Sequence, residues 1–118
     1  MVKKSVEDVY GDKSLVSDET VQRYYDLMLR KGNREAFSEI LINLHSGKVN
    51  PEIIGNITQP TFIMWGSEDR IIDSEDAFRF RNAIKNSRVI VYPDVGHIPM
   101  EEIPGSSASD ARDFLLQD

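Results

Sequence analysis

The chain contains no cysteine. Disulfide scaffolds, thiolate zinc sites and cysteine nucleophiles are thereby excluded, and no thiol is left to mark the redox compartment. Long apolar runs are also missing: no stretch approaches the ~20 residues that a membrane-spanning helix needs. Basic charge is scarce. The 14 Lys and Arg are outnumbered by 20 Asp and Glu, a net of −6, which argues against nucleic acid and anionic membranes as partners. The excess is uneven, with a net of −1 over residues 1–58 and −5 over residues 59–118. Lys3 and Lys4 give a basic start, but no apolar core follows them. A secretory signal is therefore not expected, and the expected location is the cytoplasm. No internal repeat or low-complexity tract is visible.

What remains is the composition of an ordinary soluble domain. Of 118 residues, 40% are hydrophobic and 29% charged. One small domain of this length buries most of its apolar surface, with less margin than a full-size enzyme.

Residues 1–50 are helical in pattern. Ser17 or Asp18 is placed to cap a helix whose apolar residues are Val21, Tyr24, Tyr25, Met28 and Leu29. This spacing is i, i+3, i+4, i+7, i+8, one face of a helix. Arg30 and Lys31 suit its C-terminal dipole, and Gly32 supplies a left-handed stop. Asn33 is the expected cap of a second helix, with Phe37, Ile40, Leu41 and Leu44 on one face and Gly47 at its end.

The pattern changes at Pro51. Residues 53–59 read as a connector, and Pro60 marks a strand start, where a missing N–H does least harm. Residues 61–65 are an apolar run after Thr61, as in a strand of a parallel sheet with both faces covered. Ser74 is the expected cap of a helix with Ala77, Phe80 and Ile84 inward, and residues 89–92 form the next strand. Strand, helix and strand make a βαβ unit, hence a parallel pair with a right-handed crossover. Ser107 or Ser109 is expected to open a final helix with Ala108, Ala111, Phe114 and Leu115 as its buried stripe. Two parallel strands alone would leave both edges open. Further strands are therefore expected from elsewhere, either a missing N-terminal portion or a second copy in a homo-oligomer.

The chemistry lies in two turns. Trp65-Gly66-Ser67-Glu68-Asp69 carries the first strand into a turn that presents an acid, and Pro93-Asp94-Val95-Gly96-His97 carries the second into a turn that presents a histidine. An acid and then a histidine, each just past a strand, are the last two members of a nucleophile–acid–histidine triad in one known chain order. One βαβ crossover would bring Asp69 and His97 together at the C-terminal edge of adjacent strands, where open α/β sheets place their sites. No Gly-x-Ser-x-Gly occurs, nor Gly-x-[Asp/Cys]-x-Gly.

Plainer roles compete. Asp69 beside Arg70 could be a turn acid, and His97 a loop histidine. Asp73 and Asp94 read as turn acids, His45 as a partner of a helix C-terminus, and Trp65 as core. Tyr24 and Tyr25 read as helix packing rather than pocket walls. His97 with Glu101 and Glu102 could suggest a metal cluster, but Glu102 is better placed to tie down the histidine loop, and no metal or cofactor is expected. Ser67 and Ser74 sit in no nucleophile elbow.

From residue 56 to 116 the chain resembles the C-terminal part of α/β-hydrolase-fold enzymes. The resemblance rests on Ile57-Thr58-Gln59-Pro60-Thr61 leading to Trp65-Gly66-Ser67-Glu68-Asp69, then Gly96-His97-Ile98-Pro99-Met100-Glu101-Glu102-Ile103-Pro104, then a helix ending in Phe114-Leu115. It implies a partial α/β-hydrolase fold: a helical cap-like segment over residues 1–50, then a βαβα core unit with parallel strands over residues 51–118. Residues 5–50 are more loosely similar to the second half of the cap seen in esterase, proline-iminopeptidase and ring-fission-hydrolase relatives. The resemblance further implies that Asp69 is the triad acid and His97 the triad base. The family's earlier strands, oxyanion loop and nucleophile elbow have no counterpart in the sequence. The expectation is a C-terminal piece of a hydrolase of ester, amide or related bonds, acting on a small molecule only in a full-length protein and inactive alone. The alternative is a non-catalytic assembly or interaction protein derived from such a hydrolase.

Overall fold

A computed structural model describes residues 2–45 and 51–117. Helix α1 (Val2–Val9) and a 3₁₀ turn (Lys13–Leu15) precede α2 (Asp18–Leu29) and α3 (Asn33–His45). Ser17 caps α2, its hydroxyl accepting from the Thr20 N–H at 3.1 Å. Gly32 ends the turn after α2 at φ 89°, the left-handed region that glycine enters without a Cβ penalty. Asn33 does not cap α3. It is the first helical residue, and its amide reaches back to the Leu27 carbonyl at 2.7 Å. Gly47, the expected stop, lies outside the described residues.

A 3₁₀ segment (Pro51–Asn56) leads to β1 (Thr61–Gly66), which pairs parallel with β2 (Ser87–Tyr92) through α4 (Glu75–Ala83). Ser74 precedes α4, but its side chain makes no cap hydrogen bond. Asp73 Oδ1 takes the Glu75 N–H at 2.9 Å instead, because a carboxylate accepts from the helix start more strongly than a hydroxyl does. Ala77 and Ile84 are buried as expected, and Phe80 is half-buried.

Side chains alternate across β1 and divide its packing between two faces. Phe62 stacks on Phe114 of the last helix, ring centroids 5.2 Å apart, whereas Trp65 meets Phe80 of α4 at 6.1 Å. Helices therefore cover both faces. Most of the two strands is still only half-buried, with Ile63, Gly66 and Tyr92 as the buried positions. The difference from the expected burial comes from the open outer edges of a two-stranded sheet.

After β2 come the short α5 (Pro99–Glu102) and α6 (Pro104–Leu115). Proline, not serine, opens α6, since its missing N–H costs nothing in a first turn. Ser107 consequently lies one turn inside and is buried, while Ala108 and Leu115 face outward. Phe114 and Ala111 remain on the packed side.

Candidate functional site

The two turns expected to carry chemistry meet past the C-terminal ends of β1 and β2. His97 Nδ1 lies 2.8 Å from Asp69 Oδ2. The other Asp69 oxygen accepts from the N–H groups of Ile71 at 2.8 Å and Ile72 at 3.0 Å. The carboxylate is thus fixed by directional donors on both oxygens, and its side chain is only 2% exposed. Burial is the largest influence on it and pushes its pKa up. The hydrogen bonds from His97, Ile72 and Ile71 together outweigh burial and hold it below the ordinary aspartate value. His97 is 35% exposed. With Nδ1 turned to Asp69, Nε2 is the nitrogen left to face outward.

The acid turn is anchored by its own strand. Trp65 Nε1 donates to the Ile72 carbonyl at 3.2 Å, so the indole supports the backbone whose N–H groups hold Asp69, consistent with a core role. The two turns are also tied to each other. Glu68 N–H donates to the Val95 carbonyl at 2.8 Å, and Asp94 N–H to Ser67 Oγ at 3.0 Å. Asp94 itself stands at φ 62°, a left-handed conformation that aspartate tolerates better than most residues. Gly66 lies directly beneath the histidine turn. A Cβ there would fall 2.0 Å from the Gly96 carbonyl oxygen and 2.1 Å from that of Val95.

Glu102 ties down the histidine turn, as its position suggested. One carboxylate oxygen takes the Gly96 N–H at 2.6 Å. The other accepts from Gly11 N–H at 2.9 Å and Asp12 N–H at 3.3 Å. Glu101 gathers Tyr10 Oη at 2.7 Å, Arg23 at 2.5 Å and Tyr24 Oη at 3.1 Å. Burial again acts upward on Glu101, yet these donors win and hold its pKa low. Arg70, next to the acid, donates to the Tyr10 carbonyl at 2.8 Å. Tyr10 and Gly11 were not singled out from the sequence, and Arg70 and Glu101 were read there only as a neighbour of the acid and a possible metal ligand. The available signal was a Tyr-Gly pair between two helical patterns, since a glycine there marks a close backbone approach.

Two surface hollows, one over Arg23 and Leu27 on α2 and one beside Phe62 and Phe114, do not include Asp69 or His97. Among the described residues no group of three or more His, Asp or Glu is placed to hold a metal ion. No described helix is long and apolar enough to cross a membrane.

A family model described as the alpha/beta hydrolase fold matches residues 6–104. The chain belongs to the α/β-hydrolase family. It is 28% identical over 114 residues to the uncharacterized hydrolase YugF of Bacillus subtilis, an alignment covering 97% of this chain and 41% of that protein. It is 35% identical over 82 residues to mouse monoacylglycerol lipase ABHD6, covering 70% of this chain and 24% of that one. Among solved structures, a serine hydrolase involved in carbazole degradation (the CarC enzyme) superposes with a TM-score of 0.82 at 25% identity, over 95% of this chain and 45% of its own. The chain thus spans less than half the length of these α/β hydrolases, and its architecture is a partial α/β-hydrolase fold.

Proposed function

We propose that the chain is the C-terminal part of a triad hydrolase, with Asp69 as the acid, His97 as the base and the nucleophile supplied by a portion that this sequence does not contain. The observation that carries it is the 2.8 Å contact of His97 Nδ1 with a buried Asp69 carboxylate past the ends of two parallel strands. In this role Asp69 fixes the tautomer with its proton on Nδ1 and stabilises the imidazolium. His97 Nε2 takes the nucleophile's proton and passes it to the leaving group. The substrate is a small molecule with an ester, amide or related bond. Relatives named as lipases support the ester within this class. Residues 1–50 serve as the cap-like segment and residues 51–118 as the core portion.

The chain alone is inactive on this account. An oxyanion hole is worth roughly 10²–10³ in rate, and an acid–histidine pair without a nucleophile offers only general-base help of about 10²–10⁴. The test uses p-nitrophenyl acetate with the chain by itself and with the chain joined to the portion of a lipase relative that it does not cover. The joined protein is expected to hydrolyse the ester, and His97→Ala to cost it several powers of ten. Turnover at ordinary enzyme rates by the chain alone, lost in His97→Ala, would reveal an unrecognised nucleophile. A joined enzyme indifferent to both His97→Ala and Asp69→Ala would remove the site assignment.

A non-catalytic assembly role is the alternative, favoured by apolar side chains left in solvent. Phe37 is 63% exposed and Ile42 67% on α3. Either role leaves this surface to be covered, by a missing N-terminal portion or by a second copy of the chain.

A further inference from the structure

Three backbone segments cross at one point, and each crosses at a glycine. Gly66 ends β1, Gly96 precedes His97, and Gly11 follows α1. A Cβ on Gly96 would lie 2.4 Å from both Gly11 N and the Val9 carbonyl oxygen. A Cβ on Gly11 would lie 2.6 Å from the Asp94 carbonyl oxygen and 2.7 Å from Gly96 N. The histidine turn is therefore sandwiched, with the strand end on one side and residues 9–12 on the other.

Residues 9–12 are bonded to both functional turns. The His97 N–H donates to the Val9 carbonyl at 2.8 Å. Arg70, adjacent to Asp69, donates to the Tyr10 carbonyl at 2.8 Å and reaches the Gly11 carbonyl at 3.5 Å. The Glu102 carboxylate spans the gap between Gly96 N–H and the N–H groups of Gly11 and Asp12. The short segment thus contacts the base side through backbone and Glu102, and the acid side through Arg70.

We propose that residues 9–12 are a positioning strap that holds His97 against Asp69, with Glu102 and Arg70 as its two fasteners. This rests on the functional assignment of the Asp69–His97 pair and deepens it. Glu102 and Arg70 are positioning residues, since neither is bonded to the His97 ring or to the Asp69 carboxylate in the contacts above. Glu102 accepts from both sides, which only a carboxylate does. A glutamine would present an acceptor to one side and an N–H₂ group against N–H donors on the other.

The test reads the imidazole rather than activity. The chain has two histidines, so in the ¹⁵N-labelled protein His45 serves as an internal reference for His97. The unsubstituted chain is expected to show a low-field, exchange-protected Nδ1 proton from His97. Glu102→Gln and Arg70→Ala are each expected to speed its exchange with water about tenfold or more, the effect of losing one charge-assisted hydrogen bond. Arg79→Ala, which removes an exposed contact with Asp76, should leave it unchanged. Far-UV circular dichroism checks that the helices persist. Should Glu102→Gln unfold the chain, the exposed Arg70→Ala variant decides. A protected proton that both variants leave untouched overturns the strap while the functional assignment stands. Absence of that proton in the unsubstituted chain removes the pairing itself, and the strap with it.

Discussion

Replacing Gly66 by alanine adds one methyl group where backbone from the histidine turn already crowds the strand end. Its Cβ would sit 2.0 Å from the Gly96 carbonyl oxygen, 2.1 Å from the Val95 carbonyl oxygen and 2.6 Å from the Val95 carbonyl carbon. All three are backbone atoms, so no side-chain rotamer relieves the clash. The Gly96 carbonyl must retreat by more than an ångström to reach ordinary contact. That motion opposes the Glu68 N–H to Val95 carbonyl bond of 2.8 Å, which ties the two turns together.

Overpacking of this kind costs about 1–3 kcal/mol, and the lost hydrogen bond about 1 kcal/mol more. A loss of about 3 kcal/mol lowers the melting midpoint of a domain this size by roughly 10 °C. Urea denaturation measures it directly, and the His97 Nδ1 proton should weaken in parallel, because His97 follows Gly96 immediately. Gly55→Ala is the control, since its nearest neighbour is the Ala83 carbonyl oxygen at 3.9 Å. It should change stability by less than about 0.5 kcal/mol. A Gly66→Ala protein as stable as the parent would refute the close approach and the loop geometry built on it.

Stability should fall at both ends of the pH scale. Asp69 and Glu101 have folded pKa values below their ordinary 3.8 and 4.5, so what they contribute is fully present above those values and lost as pH falls through the folded pKa. Tyr10, Tyr24 and Tyr92 are raised above 10.0, chiefly by burial and, for each, by a neighbouring carboxylate. Their contribution is present below pH 10.0 and lost as pH rises beyond it. Thermal midpoints that stay flat as pH falls from 4.5 through the carboxylate range or rises above 10.0 would contradict these assignments, and Tyr92→Phe should soften the alkaline limb. The exposed apolar surface on α3 and at the sheet edges leads to the further expectation that the isolated chain self-associates at micromolar concentration. Light scattering reporting a compact monomer would contradict it.

The strands were legible because an apolar run bounded by Pro60 and Gly66 has few other readings. Asp69 and His97 were legible for a related reason: short turns past parallel strands leave little choice of where their side chains fall. Capping was less legible where two candidates adjoin. Ser74 and Asp73 both fit the start of α4, and sequence does not show which oxygen reaches the Glu75 N–H. In α6 the serines distracted from Pro104, and Ser107, expected at the helix start, is instead buried inside the first turns while Leu115 is exposed. The strap escaped notice because its contacts span from 59 to 91 residues, from Arg70 with Gly11 to Tyr10 with Glu101. Periodicity describes neighbours along one element and carries no information about such distant pairs.

The contrast between a tightly bonded acid–histidine pair and a poorly covered sheet follows from the range of the forces involved. Hydrogen bonds are directional and act over one contact. Asp69 needs only Ile71, Ile72 and His97 for its geometry, and all lie within the two turns that follow the strands. Hydrophobic stabilisation instead scales with area removed from water, and neither Phe37 on α3 nor the strand edges can find that area among the described residues. A partial α/β-hydrolase fold can therefore hold its acid–histidine pair in register while remaining short of the surface that would bury its helices. Under the proposed function the pair sets a tautomer and a direction for Nε2, while rate further requires a nucleophile at that nitrogen and donors for the developing oxyanion; no Gly-x-Ser-x-Gly occurs in these 118 residues.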